Sequence, residues 1–151
     1  MGSGKRWLRV ICACAMLCVF ATLLAAAAEN PETRTVESLL KSRVTILNSM
    51  LTGNITCDEG REQLKKVEAD ALYTKDMESL CTYDASDYDA IEKMEVLSLE
   101  RKGKVCDILH YEAKIRWNCI GYDGAYVDLA TYQIGVSCKD DEYRLISIEI
   151  L

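Results

Sequence analysis

The strongest constraint on the fold is an alternation of apolar and polar side chains in the second half of the chain. Between residues 104 and 120 the odd positions are mostly apolar, while the even positions include His110, Glu112 and Lys114. A period of two places all odd side chains on one face of a β-strand. The pattern is typical of an antiparallel strand with one buried face and one wet face. The sequence therefore predicts a long strand over residues 104–120.

Three further alternating segments complete a predicted meander of four antiparallel strands. The predicted strands cover residues 93–101, 104–120, 125–138 and 143–151, with turns at 102–103, 121–124 and 139–142. A two-residue loop at Tyr122-Asp123 pairs positions whose numbers sum to 245, which sets Leu109 opposite Val136. Because apolar side chains then meet on one face, this register is self-consistent.

Three helices are predicted before the sheet. Asn30-Pro31 supplies a cap and a first-turn proline, and Gly53 ends the first helix. Thr56-Cys57-Asp58-Glu59 matches a capping box, in which the threonine hydroxyl and the glutamate each accept a backbone N–H of the other. The second helix is predicted to reach about Leu72, and Thr74 to cap a short third helix. The sequence thus predicts an α+β domain over residues 29–151, with the helices packed on the sheet.

The first 28 residues have the pattern of an export signal. Three cations precede nineteen residues without a charge, at positions 10–28. Nineteen helical residues span about 28 Å, which favours a retained signal-anchor helix, whereas Ala26-Ala27-Ala28 favours a signal peptide cleaved before Glu29. Both alternatives stay open. In either case the basic flank stays inside, so we expect an extracytoplasmic domain that is tethered to the cell membrane by a single-pass transmembrane helix or secreted.

The exported part of the chain is acidic. Without the three cations of the leading segment, 15 cations face 24 acids, a net charge of −9. Such a surface repels nucleic acid and anionic lipid headgroups, so no nucleic-acid partner is expected. The membrane contact that we expect is the one made by residues 10–28 if they are retained.

The cysteine pattern argues against both a zinc site and a disulfide scaffold. Five cysteines lie outside the leading segment, an odd number with no CxxC spacing: Cys57, Cys81, Cys106, Cys119 and Cys138. The predicted register puts Cys106 and Cys138 on opposite faces of the sheet. It separates Cys119 from Cys138 by about 40 Å along the strands. Neither pair can therefore form a disulfide.

These elements together resemble the nuclear transport factor 2-like (cystatin-like) superfold. The resemblance is carried by the capping box at Thr56 with its helix, the hairpin over residues 104–138, and the closing strand after Asp140-Asp141-Glu142. It implies a curved, cone-like sheet wrapped around the helices. Members of the superfold include enzymes, binding pockets and dimerisation modules, and membrane-anchored members serve as parts of secretion and conjugation machines. The resemblance therefore leaves the activity open.

Few residues are suited to catalysis or metal binding. His110 is the single histidine, and Cys106 lies about 13 Å from it along the strand, too far for a nucleophilic pair. The acidic run from Asp84 to Glu92 lacks the glycine and the alternating acids of an EF-hand loop, so we interpret it as a turn. We expect no catalytic residue, no metal and no cofactor.

The speculative ligand-binding residues lie on the apolar face of the sheet. They are four aromatic side chains and one acid: Tyr111, Trp117, Tyr126, Asp128 and Tyr132. Core packing explains the aromatic side chains, and a pocket for an apolar ligand or a partner helix is the alternative. Asp128 is the unusual member, because the register places it opposite Trp117 on an otherwise apolar face.

We interpret the chain as a non-enzymatic, exported or membrane-tethered domain that binds a protein partner and serves an envelope-associated assembly. The alternative is a small-ligand-binding or enzymatic cone-type domain with an inner-face cavity around Asp128. An open cavity that contains Asp128 would favour this alternative. A cone filled by helix side chains would exclude it.

Overall fold

A computed structural model of the protein describes residues 30–82 and 89–151, except the side chains of residues 81 and 82. The predicted leading helix and most of the acidic run lie outside this part of the chain. Three helices come first: α1 spans Pro31–Leu51, α2 spans Cys57–Val67 and α3 spans Asp70–Thr82. Among the described residues, no helix combines the length and the apolar character needed to cross a bilayer.

The predicted end of α1 and the predicted capping box of α2 are both confirmed. Gly53 follows α1 with a φ of 70°, a left-handed conformation that glycine adopts without strain. The Thr56 hydroxyl accepts the N–H of Glu59 at 3.2 Å, and the Glu59 carboxylate accepts the N–H of Thr56 at 2.9 Å. Both helix boundaries were therefore readable from local sequence.

The boundary between α2 and α3 differs from the prediction. The second helix does not reach Leu72, because Glu68 leaves it and forms a parallel bridge with Leu145 of the last strand. The N–H of Ala69 donates to the Leu145 carbonyl at 2.9 Å. Thr74 does not cap α3 but lies inside it, where its hydroxyl donates to the Asp70 carbonyl at 3.2 Å. A tertiary contact thus overrides the helical pattern.

The sheet confirms the predicted four-stranded antiparallel meander. β1 spans Ala90–Val105, β2 spans Ile108–Gly121, β3 spans Gly124–Lys139 and β4 spans Glu142–Ile150, and they pair in chain order. The β2–β3 register follows the predicted sum of 245 along the whole hairpin. Leu109 accordingly lies opposite Val136, as predicted.

The first turn of the sheet does not lie at residues 102–103, as predicted, but at Cys106-Asp107. The β1–β2 register shifts between Arg101 and Gly103, which is a bulge inside a continuing strand. Cys106 adopts a φ of 53° in the tight turn. The bulge interrupts the alternation of apolar and polar side chains, but β1 stays paired with β2 beyond it. The predicted turn at residues 102–103 is therefore wrong.

The core lies between the helices and the face of the sheet that carries the odd-numbered side chains of β2. Its most buried members are Val36, Leu40, Leu64, Leu72, Leu109, Tyr111, Ala113, Ile115, Ile134, Val136 and Leu145. Two polar contacts fix α1 along β1. Arg101 pairs with Glu32 at 2.7 Å, and the Asn48 amide donates to the Ile91 carbonyl at 2.6 Å. The domain is therefore α+β, while its membership of the nuclear transport factor 2-like superfold stays a prediction.

The described cysteines do not form disulfides. Cys57, Cys106, Cys119 and Cys138 are all free thiols. The β2–β3 register pairs Cys119 with Tyr126, twelve residues from Cys138 along β3, as predicted, whereas Cys106 lies in the β1–β2 turn and not on the predicted strand.

Candidate functional site

Among the described residues, one edge of the sheet has no partner strand over seven residues. β3 pairs with β2 along its whole length, but with β4 only from Tyr132 to Lys139. The last backbone hydrogen bond between β3 and the residues after β4 is the one that the Leu151 N–H donates to the Thr131 carbonyl at 2.9 Å. Residues Gly124–Ala130, which we call the open edge, therefore have β2 on one side and no described strand on the other.

The backbone of the open edge offers hydrogen-bonding groups at every second residue. Successive residues of an antiparallel strand direct their N–H and C=O groups to opposite sides. The Thr131 carbonyl points toward β4. The backbone N–H and C=O groups of the alternate residues before it, Ala125, Val127 and Leu129, therefore point toward the open side. The Leu129 N–H agrees with this direction, since it donates to the Asp128 carboxylate at 2.8 Å. The open edge is thus a template on which another strand can pair.

Exposed apolar side chains concentrate around the open edge. Of nine large apolar side chains that are exposed among the described residues, seven lie on this edge, beside the β2–β3 turn or at the end of β4. They are Ile120, Tyr122, Tyr126, Val127, Leu129, Ile150 and Leu151. Contiguous exposed apolar surface marks interaction sites in soluble domains.

Trp117 and Tyr132 form one unit on the inner face next to the open edge. The Trp117 indole N–H donates to the Tyr132 hydroxyl at 2.9 Å, and the two rings meet edge to face with centroids 6.1 Å apart. Both side chains are half-buried and pack against the margin of the core. Burial raises the pKa of Tyr132, so its phenol stays neutral. The pair is a rigid aromatic corner without an ionised group.

Tyr126 lies on the open edge and is anchored at its hydroxyl. That hydroxyl donates to the Asp89 carboxylate at 2.6 Å, which links β3 to the residue before β1. The hydrogen bond raises the pKa of Tyr126, so the phenol acts as a donor. Cys119 lies opposite Tyr126 on β2 and is buried. The ring of Tyr126 is held in place while part of it faces solvent.

The structure does not gather all five speculative ligand-binding residues. Asp128 lies opposite Trp117, as the register predicts, but its side chain is exposed and bonds the backbone of Leu129. Tyr111 is fully buried in the core, six residues and about 20 Å along the strand from Trp117. Trp117 and Tyr132 are in contact, and Tyr126 and Asp128 flank them. A ligand-binding role for the five residues stays a prediction.

A buried ion cluster that the sequence did not reveal lies between the helices. The Arg43 guanidinium donates to Glu68 at 2.6 Å and also to Asp76. Burial, and next the neighbouring Asp76 carboxylate, raise the pKa of Glu68 to about 8. Strongly perturbed acids occur at active sites. Here, however, Glu68 is 1% exposed, and the contacts of Arg43 with Glu68 and with Asp76 join the helices.

Two grooves of the domain are lined by residues other than Asp128. One of about 460 Å³ lies between α1 and α2, where Lys41, Gln63 and Lys66 line it. Another of about 320 Å³ lies between α1 and the start of β1. Within residues 30–82 and 89–151, no three or more His, Cys, Asp or Glu side chains are grouped as they would be around a metal ion.

Comparisons with known proteins give limited information. No family model matches the chain, and no curated protein matches it. Among solved structures, the chain is similar to the crystal structure of the intermembrane space region of chloroplast protein ARC6. The two share 13% sequence identity at a TM-score of 0.47, over 81% of this chain and 98% of that chain.

The sequence analysis did not single out the open edge. Strand alternation identifies which face of a strand is buried, but it carries no information on whether the edge of that strand is paired.

Proposed function

We propose that the domain is a non-enzymatic protein-binding module that takes an extended segment of its partner as an additional strand on the open edge. The observation that carries this proposal is the seven-residue stretch Gly124–Ala130, which no strand of residues 30–82 or 89–151 pairs on one side and which exposed apolar side chains surround. Strand addition supplies main-chain hydrogen bonds for affinity, and the alternating side chains supply specificity.

Asp128 limits where a partner strand can pair with the open edge. Natural sheets protect free edges with charged side chains, which discourage uncontrolled pairing. The Asp128 carboxylate does so directly, because it accepts the N–H of Leu129 that a partner strand would otherwise use. The edge is therefore protected at one point, while Ala125 and Val127 keep their open-side groups available.

The rival function needs a ligand cavity around Asp128. The grooves described above do not include this residue, and Trp117 and Tyr132 fill the adjacent inner face. The exposed Asp128 carboxylate lies in a setting where water screens its charge. These observations favour binding through the edge over a small-ligand or enzymatic site.

The location that we propose is extracytoplasmic, as part of an envelope-associated assembly. Its support is the sequence pattern of residues 1–28, with basic residues before nineteen uncharged ones. Intact mass of the protein from membrane and soluble fractions separates the two forms. A soluble chain that begins at Glu29 indicates release, whereas a full-length membrane-bound chain indicates tethering; a cytosolic full-length chain would contradict export.

Photocrosslinking of the full-length protein in its own cells tests the proposed function. A photoreactive residue replaces Leu129 in one variant and Val105 in a control, because Val105 is exposed but lies at the β1–β2 turn. We expect a crosslinked protein adduct from position 129 and none from position 105.

A second substitution tests whether the adduct depends on strand pairing. Val127→Pro removes an N–H on the open side while leaving the β2 ladder intact, so it should abolish the adduct from position 129. An adduct that survives Val127→Pro, or equal adducts from positions 105 and 129, would argue against strand addition.

A further inference from the structure

One cysteine of the sheet has two hydrogen-bond donors on its sulfur. Cys138 lies near the end of β3 and is half-buried, and its Sγ accepts a hydrogen bond from the Lys104 ammonium at 3.8 Å. Tyr143 lies opposite Cys138 in the β3–β4 register, and its hydroxyl also hydrogen-bonds this sulfur. Cys138 belongs to the part of β3 that β4 covers, so this place is separate from the open edge.

A buried hydroxyl without a partner is directed toward the same place. Tyr111 is fully buried, and its hydroxyl has no hydrogen-bond partner among the described residues. Burial, and next the Glu32 carboxylate, raise the pKa of Tyr111, and charge on Cys138 adds to the rise. After burial, Cys138 and Glu32 also raise the pKa of Tyr143. Both phenols therefore lie between the start of α1 and Cys138. We call Lys104, Tyr111, Cys138 and Tyr143 the thiol cluster.

We propose that Cys138 is a modification site, at which the chain exchanges with the disulfide of a small thiol compound. The Cys138 sulfur attacks one sulfur of the reactant, whose S–S bond breaks, and a mixed disulfide forms on Cys138. The other half of the reactant leaves as a thiolate and takes up the proton that Cys138 has lost. The small disulfide is itself the oxidant, so the exchange requires no other electron acceptor.

The thiol cluster supplies what this exchange requires. The attacking species is a thiolate, and reactive cysteines lie in electropositive, partly exposed surroundings. The Lys104 ammonium and the Tyr143 hydroxyl both stabilise negative charge on the Cys138 sulfur while it reacts. The Tyr111 hydroxyl has no acceptor in the domain, so it can donate to a polar group that arrives with the reactant.

The other described cysteines lie in different surroundings. Cys57 is exposed at the start of α2, where two acids, Asp58 and Glu59, occupy the first turn beside it. Cys106 is exposed in the β1–β2 turn, and Cys119 is buried. In the part of the chain that the structure describes, no ammonium or guanidinium group is hydrogen-bonded to any of these three sulfurs, unlike the fourth. The most accessible thiols are therefore not the one with a cationic neighbour.

The cysteine count and the proposed location agree with such a site. Five cysteines lie outside the leading segment, so at least one of them has no partner within the chain. In an exported protein, an odd cysteine indicates a reactive thiol or a bond to another molecule. Extracytoplasmic compartments are oxidising, so the proposed location would supply small disulfides.

The order in which the cysteines react tests the proposal. The full-length protein in detergent is incubated with oxidised glutathione, the remaining thiols are blocked, and each rate is read by mass spectrometry from the peptide that contains that cysteine. Exposure alone ranks Cys57 and Cys106 above the half-buried Cys138. We expect the opposite order, with glutathione added to Cys138 severalfold faster than to either exposed cysteine.

Substitutions of lysine separate the effect of charge from that of exposure. Lys104→Gln should slow the modification of Cys138 severalfold, whereas Lys104→Arg keeps the cation and should restore most of the rate. The side chain of Lys104 is exposed, so neither variant removes core packing. Lys102→Gln is the matched control, because Lys102 pairs with Glu100 on the same strand and not with the sulfur. The control should leave the rate at Cys138 unchanged.

Two results would overturn the proposal. One is a rate at Cys138 no higher than at Cys57 and Cys106, and the other is a rate at Cys138 that Lys104→Gln leaves unchanged. The proposed function fails separately, because Cys138→Ser should abolish glutathione addition at this position while leaving the protein adduct from position 129 unaffected.

Discussion

Arg43 and Glu68 are in buried contact, in which the guanidinium Nε lies 2.6 Å from the carboxyl Oε1. The same guanidinium also binds Asp76, so two acids share one cation. Among the described residues, the second oxygen of Glu68 is buried and has no hydrogen-bond partner. A carboxyl group in such a place is more stable with its proton than without it.

Folding stability should consequently fall as the pH rises. The pKa of Glu68 is raised from 4.5 to about 8, so the folded state binds the proton more tightly than the unfolded state. The contribution of this group to stability is complete below pH 4.5 and is lost progressively toward pH 8. Urea unfolding between pH 5 and pH 8 should show a decrease of a few kcal/mol, on the order of 1.4 kcal/mol per pKa unit at most.

Glu68→Gln isolates this effect, because an amide imitates the protonated carboxyl group. The variant should match the wild type within about 1 kcal/mol near pH 4.5, where Glu68 is protonated in the folded state, and lack its decrease toward pH 8. A wild type and a variant with parallel stability curves would contradict a raised pKa of Glu68.

Arg43→Ala should destabilise the domain strongly. It leaves Glu68 and Asp76 buried side by side without a cation, and loss of one partner from a buried pair costs about 3–5 kcal/mol. Arg61→Ala is the matched control, since Arg61 pairs with Asp58 at 3.3 Å on the exposed surface of α2. The control should change the free energy of unfolding by less than about 1 kcal/mol. Equal losses of unfolding free energy in the two variants would show that the buried cluster stabilises the domain no more than an exposed ion pair does.

The sequence predicted the sheet better than the helices, for a physical reason. Alternation fixes which strand face is buried, so the pairing of Leu109 with Val136 followed from sequence alone. The end of α2 depends on Leu145, which lies far away in sequence and draws Ala69 into a backbone hydrogen bond. The Arg43 cluster likewise joins residues 25 and 33 positions apart, and no local pattern marks it.

The candidate site shows the same division. The predicted register placed Asp128 opposite Trp117 correctly, because the length of the β2–β3 turn fixes which residues of the hairpin are paired. Whether Asp128 lies in a cavity depends on how far the helices extend over the sheet. This coverage is a tertiary property that no local sequence pattern predicts. The structure leaves its carboxylate on the surface, where it bonds Leu129.

The capping box at the start of α2 should contribute measurable stability. Thr56→Ala removes the acceptor of the Glu59 N–H and should lower the free energy of unfolding by about 1 kcal/mol. Thr52→Ala is the control, because the exposed Thr52 hydroxyl donates to the carbonyl of Asn48 and satisfies no backbone N–H at a helix start. We expect the control to stay within about 0.5 kcal/mol of the wild type in urea unfolding. A Thr56→Ala loss no greater than that of Thr52→Ala would show that the cap contributes little.

The contact between Trp117 and Tyr132 should appear as a coupling energy. Tyr132→Phe removes the acceptor of the indole N–H while keeping the ring, and should cost about 1 kcal/mol. Trp117→Phe removes the donor, so the double variant should lose less than the sum of the two single losses, by about 1 kcal/mol. Tyr122→Phe, at a fully exposed turn position, is the matched control and should leave stability unchanged. Strictly additive losses would mean that the hydrogen bond does not stabilise the corner beside the open edge.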